Sequence, residues 1–520
     1  MLFRQIKTIL RLAFAATLCL SAVAAASAQA ASAPPIGAFT TKGAWNFKSA
    51  PKLHPPVFHT DKPVVSSKLA PGYFMVANFK NLTVPQPMVG EGGPLILDKN
   101  LQPVWFNPVG TNQLAGNLRE QTYQGKPVLT WWQGLISSVG ATTSGKFVVV
   151  DQHYKQVASI TGQDGWVLSE HDFVISGHDA WVTAYKNVPM DLTAFGGPTA
   201  GTLSDSAVQE YDLKTGKLVK TWDALQHVPL SQSQARPAPV PGVPWDAYHI
   251  NAIQLTGHGG FLTSFRNTWA AYNVDPSGNV QWTLSGNPKI STFALPTNAQ
   301  FQFQHDVQLL PGNKVVMFDD ACCGILGAGK FAPPIGPSRG LVLQLNLANH
   351  TGSLVAQYVR GKNFNAAFLG STRLLSNGNA VISWGQQPLF SEVSKTGKVL
   401  LDGVWPNPDV NYRVYVQNWT GKPSFPPAGA VRTAHGKATV YASWDGATQV
   451  TSWRVLAGRD AKHLALVATK AKNSFETVIG LTSTFKQYKV QALDAKGHVL
   501  GTSGAFPRPK SQGSPLPPGY

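Results

Sequence analysis

Three histidines stand at the same phase of a recurring strand pattern: His171 in "EHDFVIS", His249 in "DAYHINAIQL" and His305 in "FQHDVQLL". Imidazole is the side chain best able to attack, accept a proton or return one near neutral pH. A lone histidine opening a strand is more often structural, so the shared phase is what sets these three apart. His153, His178, His227, His258 and His350 lack that phase and read as structural or surface residues. None of the spacings matches a compact zinc motif, and the residues call for no metal and no cofactor. Two arginines accompany the set. Arg266 in "FLTSFRNTW" falls on the strand paired with that of His249, and Arg339 in "GPSRGLVL" lies one strand beyond His305. A guanidinium fork in the same space would hold an oxyanion. Asn251 and Asp306, beside the histidines, could orient them, and each reads equally well as a structural polar group of a turn or strand end.

The elements that must position these residues are strands. An apolar strand, a Gly/Asn/Asp turn, a second apolar strand and often a terminal Trp recur in "GPLILDKNLQPVWF", "VQEYDLKTGKLVKTW", "AAYNVDPSGNVQW" and "RLLSNGNAVISWG". Such alternation with such turns is hairpin chemistry, and helical periodicity is almost absent. Repeats of roughly 40–60 residues, each worth about four strands, predict an all-β six-bladed propeller over residues 60–408. The blades are expected near 60–110, 111–165, 166–235, 236–295, 296–362 and 363–408. The first strand of each blade would line a central channel, so histidines at one phase would converge there. Trp131 and Trp132 would stack an aromatic substrate if they stood at the channel mouth, although packing between blades is the commoner use.

After Pro406 the pattern changes. "TVYASWDGATQVTSWRVLAG" and "YKVQALDAKGHVLGTS" predict a C-terminal fibronectin III or immunoglobulin-like β-sandwich over 411–506, followed by a disordered tail at 507–520. A chain cut near Pro406 is expected to keep a folded propeller. Residues 1–30 combine early cations, an apolar run and Ala28-Gln29-Ala30, the build of a secretory signal peptide, with 31–59 as an N-terminal extension. The expected location is periplasmic or extracellular. No second long apolar stretch suggests a membrane span. The formal charge of +17 includes three cations of the leading segment. With no Lys/Arg run or nucleic-acid motif, it points to small anionic substrates. Only Cys322 and Cys323 follow the leader, and adjacent cysteines cannot tie distant segments together.

Taken together, "EQTYQGKPVLTWWQG", "DAYHINAIQL", "FQHDVQLLPGNKVVMFDD", "SRGLVLQL" and "NGNAVISWGQQP" resemble the arylsulfotransferase family, in its divergent branch, over about residues 60–408. The resemblance implies a six-bladed propeller that moves a sulfuryl group from an aryl sulfate to a phenol through a sulfohistidine, without a nucleotide donor. It implies that His249 with Asn251, His305 and Arg339 are the sulfuryl-binding positions. It breaks at one point: where the family carries its nucleophile, this chain reads "FLGSTRLL", with Gly370 aligned to the histidine position. His305, His249 or His171 would then take the nucleophile's role. His305 ranks first because its strand closely precedes Arg339. Two other classes compete. One is a non-catalytic binding propeller whose sandwich serves surface attachment. The other is a quinoprotein-type dehydrogenase, to which Cys322-Cys323 and "DLKTGKLVKTW" are similar.

Overall fold

The structure, a computed structural model, describes residues 43–60, 64–81, 86–110, 112–136, 142–322, 325–327, 330–406 and 408–509. The leader at 1–30, Cys323 and residues 510–520 of the tail lie outside the described residues. No helix among the described residues is long and apolar enough to cross a membrane. The described chain is all-β.

Six sheets follow one another, antiparallel except where Trp245–Asp246 pairs parallel with Leu203 and Ser204 of the third. The second runs through Leu114–Tyr123, Lys126–Ile136, Thr142–Val150 and Gln156–Thr161 as a simple meander. The third is built on Val167–Ser176, Asp179–Met190, Gly201–Asp212 and Lys217–Asp223. The fourth runs from Ile250–Leu255 to Val280–Ser285, the fifth from His305–Leu310 to Thr351–Val359 and the sixth from Ser371–Leu374 to Val399–Val404.

The first sheet departs from this scheme. Tyr73–Lys80, Gly93–Leu97 and Pro103–Phe106 form three of its strands, and the remaining edge is filled by Asp409–Asn411 and Tyr415–Gln417. Both late segments pair antiparallel with Tyr73–Lys80. The sheet series therefore ends at Gln417 rather than near Pro406. A cut at Pro406 would remove the edge strand of the first sheet and leave the hydrogen-bonding groups of Tyr73–Lys80 open.

The apolar faces are buried between consecutive sheets. Trp132 and Phe147 of the second sheet pack with Phe173 and Val182 of the third. Tyr185 and Trp222 of the third pack with Phe261 and Phe265 of the fourth. Leu262 and Leu284 meet Val307 and Met317 of the fifth, and Phe318 meets Ile382 and Trp384 at the sixth. Phe390 and Trp405 then pack back on Phe74 and Phe106 of the first sheet. Small residues allow the close approach: a Cβ on Gly145 would fall 2.2 Å from the Trp132 indole nitrogen. Trp131 and Trp132 are both buried, the first against Trp105, so neither offers a face to a substrate.

Two further sheets follow Gln417. One contains Ala428–Ala434, Lys437–Ser443 and Glu476–Leu481, the other Ser452–Gly458, Leu464–Ala471, Gln487–Leu493, Val499–Thr502 and Phe506–Pro507. Trp453, Val455 and Tyr488 of the second share a core with Val440 and Ile479 of the first. This unit is fastened to the sheets before it. The Gly446 N–H donates to the Val104 carbonyl, the Phe106 N–H donates to Asp445 Oδ1 at 3.1 Å, and the Tyr154 hydroxyl donates to the Gly446 carbonyl.

Candidate functional site

The site grows from a defect repeated in four neighbouring sheets. The first strand of the second, third, fourth and fifth sheets breaks register against its partner at Gly116/Arg119, Leu168/Phe173, Ile250/Ala252 and His305/Gln308. A bulge bends the strand and re-aims the side chains it carries. Asn117, His249 and Asp306 take left-handed φ values of 60°, 57° and 55° at or beside these breaks. The bulges hold His171, Asp172, Asn251 and Asp306 and flank His249 and His305, and the first strands lie side by side from sheet to sheet.

The result is one cluster of three imidazoles. The rings of His171 and His249 are 5.2 Å apart between centroids, and each is 6.3 Å from the ring of His305. One ring nitrogen from each lies within 4.8 Å of the other two. His171 and His305 are buried at 1 % side-chain exposure, whereas His249 is 18 % exposed and gives the cluster its open side. Tyr185 and Tyr412 wall it, with the Tyr412 ring 5.3 Å from that of His171.

Each Nδ1 is occupied. His249 Nδ1 is 2.5 Å from Asp246 Oδ2, and His305 Nδ1 is 2.6 Å from Asp320 Oδ2. His171 Nδ1 is 2.6 Å from the Ser169 hydroxyl. A carboxylate on Nδ1 fixes that nitrogen as the N–H and leaves the Nε2 lone pair free. His305 Nε2 is buried without a hydrogen-bond partner. Burial pushes the His305 and His171 imidazoles well below their ordinary range. Arg266 and the other two histidines add to this at His305, and His249, Arg413 and Arg266 add to it at His171. Both rings are therefore neutral. Burial also pushes the Asp320 carboxyl up, opposed by Arg266. The 2.6 Å contact between His305 Nδ1 and Asp320 Oδ2 is a hydrogen bond within this buried pair.

Of the other residues singled out from the sequence, Arg266 belongs to this site. It acts electrostatically on Asp320, Asp246, His171 and His305, donates to the carbonyl of Ala367 at 2.8 Å, and leaves its Nε without a partner. Asn251 is buried, donates to the Gln304 carbonyl, and leaves its side-chain oxygen unpartnered. Asp306 lies next to the cluster but is spent on ion pairs with Arg373 and Arg413. Arg339 is placed differently. Its guanidinium is consumed by Asp319, the carbonyls of Asn298 and Gln300, and Gln357. It is a structural clamp on the far side of Asp319, because the strand alternation that sends His305 inward sends Arg339 away.

A second buried arginine, Arg413, stands behind the cluster and was not singled out from the sequence. It is wholly buried, with ion pairs of 3.0 Å to Asp172 and 3.2 Å to Asp306, and its Nη2 donates to the Asn251 carbonyl at 2.8 Å. The neighbouring Tyr412 hydroxyl donates to the same carbonyl. Arg119 also pairs with Asp172. An ionic layer of Asp172, Asp306, Arg119, Arg373 and Arg413 thus backs the histidines. A signal existed in the sequence: "NYRVYVQ" sets an arginine among apolar residues, in the break between Asp409–Asn411 and Tyr415–Gln417, and is hidden by its position after the last repeat. Gly370 offers no place for a fourth histidine, since a Cβ there would fall 2.3 Å from the Phe318 ring. Cys322 is buried and disulfide-bonded.

Comparison with known proteins adds the decisive match: the arylsulfotransferase (ASST) family model fits residues 119–405. The chain belongs to the arylsulfotransferase family. Three sheets of the match supply the three histidines, Asp246, Asp320 and Arg266, whereas Arg413 stands beyond its end. Membership supports an arylsulfotransferase-like function in general terms. No curated protein matches the chain. Similar solved structures include a protein of unknown function from Bacteroides caccae, 12 % identical, covering 64 % of this chain and 93 % of its own, with a TM-score of 0.36. The quinohemoprotein alcohol dehydrogenase from Comamonas testosteroni is 10 % identical, covers 68 % of this chain and 60 % of its own, and has a TM-score of 0.28. The Dos1 propeller is 7 % identical, covers 77 % and 79 %, and has a TM-score of 0.29. Likenesses this distant say nothing about the activity of an arylsulfotransferase.

Proposed function

We propose that this protein is an exported six-bladed propeller with a C-terminal β-sandwich, transferring a sulfuryl group from an aryl sulfate to a phenol through a histidine of the cluster. The six sheets packed in series, the sixth against the first, support the propeller reading. The observation that carries the chemistry is the meeting of His171, His249 and His305 with carboxylates on two of their Nδ1 atoms. His249 is the best placed to attack, since it alone has an exposed face. Its Nε2 forms a bond to sulfur while the sulfur–oxygen bond to the aryl group breaks, the electron pair leaving on the phenolate oxygen. Asp246 takes up the positive charge that develops on the ring. In the second half-reaction a phenol oxygen attacks the same sulfur, the nitrogen–sulfur bond breaks, and the phenol proton, of pKa about 10, passes to a neighbouring imidazole, which gives it to the phenolate leaving in the next first half-reaction. Arg266, with a free Nε, is placed to hold sulfuryl oxygens.

The test is turnover of a chromogenic aryl sulfate with a phenol acceptor, with mass analysis of histidine peptides. His249→Asn is expected to abolish both turnover and the sulfated peptide. Residual activity within about tenfold of native corresponds to only ~1.4 kcal/mol of barrier, too little for loss of a covalent nucleophile, and would remove His249 from that role. No turnover of any aryl sulfate by the native chain would favour the non-catalytic binding protein.

A further inference from the structure

The three imidazoles have a second chemistry that does not depend on sulfuryl transfer. They come from three separate sheets, and one nitrogen from each lies within 4.8 Å of the others. Points that far apart surround a centre about 2.8 Å from each, against zinc–imidazole bonds of about 2.0–2.1 Å, so each ring has to close by less than ~1 Å. Nδ1 is taken on all three, by Asp246, Asp320 and Ser169, which leaves Nε2 as the free ring nitrogen. In His305 that Nε2 is buried and without a partner. A histidine that ligates a metal ion through one nitrogen commonly gives its other N–H to a carboxylate, which fixes the tautomer and makes the ligating nitrogen more basic. His249 and His305 are already held in this way.

We infer that His171, His249 and His305 form a binding site for a divalent transition-metal ion, zinc being the best match, with its fourth position open on the side of His249. Three imidazoles without a directly convergent carboxylate select zinc, cobalt, nickel or copper over magnesium or calcium. Arg266 stands beside this set and opposes a cation by charge, while Asp246 and Asp320 stand behind the rings and offset it. A metal ion on these nitrogens leaves no free histidine lone pair, so metal binding and a sulfohistidine exclude each other at this site.

Cobalt(II) titration of the full chain, in the absence of any sulfate ester, tests the inference apart from turnover. The native chain is expected to take up one cobalt ion with the visible absorption of a four-coordinate site, and zinc is expected to displace it. His249→Asn and His305→Asn should each weaken binding by at least about 100-fold, and Asp246→Asn by about 10–100-fold. His227→Asn, in the short helix Ala224–His227 that follows the outer strand of the third sheet, should leave binding unchanged. Near-ultraviolet circular dichroism reports folding. If His305→Asn does not fold, His249→Asn and Asp246→Asn decide, because both side chains are partly exposed. Absence of the four-coordinate cobalt spectrum in the native chain overturns the inference. So does an affinity that stays within about threefold in both His249→Asn and Asp246→Asn. Loss of sulfuryl transfer alone leaves it standing, since the readout is binding.

Discussion

Replacing Arg413 by Met tests whether the ionic layer behind the histidines holds the site together. The side chain is wholly buried and serves two carboxylates, at 3.0 Å and 3.2 Å. Removing one partner of a buried ion pair costs about 3–5 kcal/mol, because the remaining charge stays out of water without compensation. Here Arg119 still reaches Asp172, and Arg373 still reaches Asp306. The expected loss is therefore near the lower end, about 3 kcal/mol. Urea unfolding followed by tryptophan fluorescence measures it. Double replacement with Asp306→Asn should cost less than the two single changes added together, since the pair is lost once. The loss should also depend on pH in a defined direction. Burial alone would raise the Asp172 carboxyl, but Arg413 and Arg119 hold it below its ordinary range. Its contribution is present above the ordinary carboxylate pKa and disappears as pH falls through the lowered folded value. The deficit of the Met variant should shrink on acidification. A loss under ~1 kcal/mol at neutral pH, or one that grows in acid, would refute this account of the layer.

Three further outcomes follow from the same structure. Burial pushes Asp445 up to about 8 against a single N–H from Phe106. Its stabilising contribution is therefore present in acid and lost as pH rises from about 4 through about 8; Asp445→Asn should melt above the native chain at pH 9, and a lower melting point there counts against it. A chain ending at Pro406 should give no sharply melting protein, because Tyr73–Lys80 loses its partner strand; a cooperative melt with native near-ultraviolet dichroism would contradict that. The neutral His171 and His305 take up protons only on unfolding, so stability should fall as pH drops below about 6.5. His171→Gln should flatten this acid limb, and an unchanged slope would show that His171 titrates in the folded state.

Much of this was legible in the sequence because strand alternation and turn residues are local signals. The common phase of His171, His249 and His305 survives as a common place, since first strands at one phase carry their side chains to one space. Arg339 was misjudged because nearness along the chain stood in for direction: it pairs with Asp319, one residue from the Asp320 that faces His305. Asp246 and Asp320 were not recognised as partners, because a left-handed residue at His249 and the end of a paired strand bring them alongside, and neither is visible as a pattern. Arg413 escaped because it reaches the site only through pairing with a strand more than three hundred residues earlier. Local periodicity does not carry information at that distance.

The late position of that strand bears on how the molecule comes into being. Loop closure across most of the chain has to precede the pairing of Asp409–Gln417 with Tyr73–Lys80, and such long-range contacts form slowly. During synthesis the first sheet therefore waits with an open edge until nearly everything before the last two sheets has emerged. Tyr412 and Arg413 arrive in that final event. Asp172 and Asp306 have Arg119 and Arg373 before it, but the Asn251 carbonyl has neither of its two donors. The network behind the three histidines is thus completed only by this late pairing, and a chain that ends before Asp409 carries all three histidines without Tyr412 and Arg413 behind them.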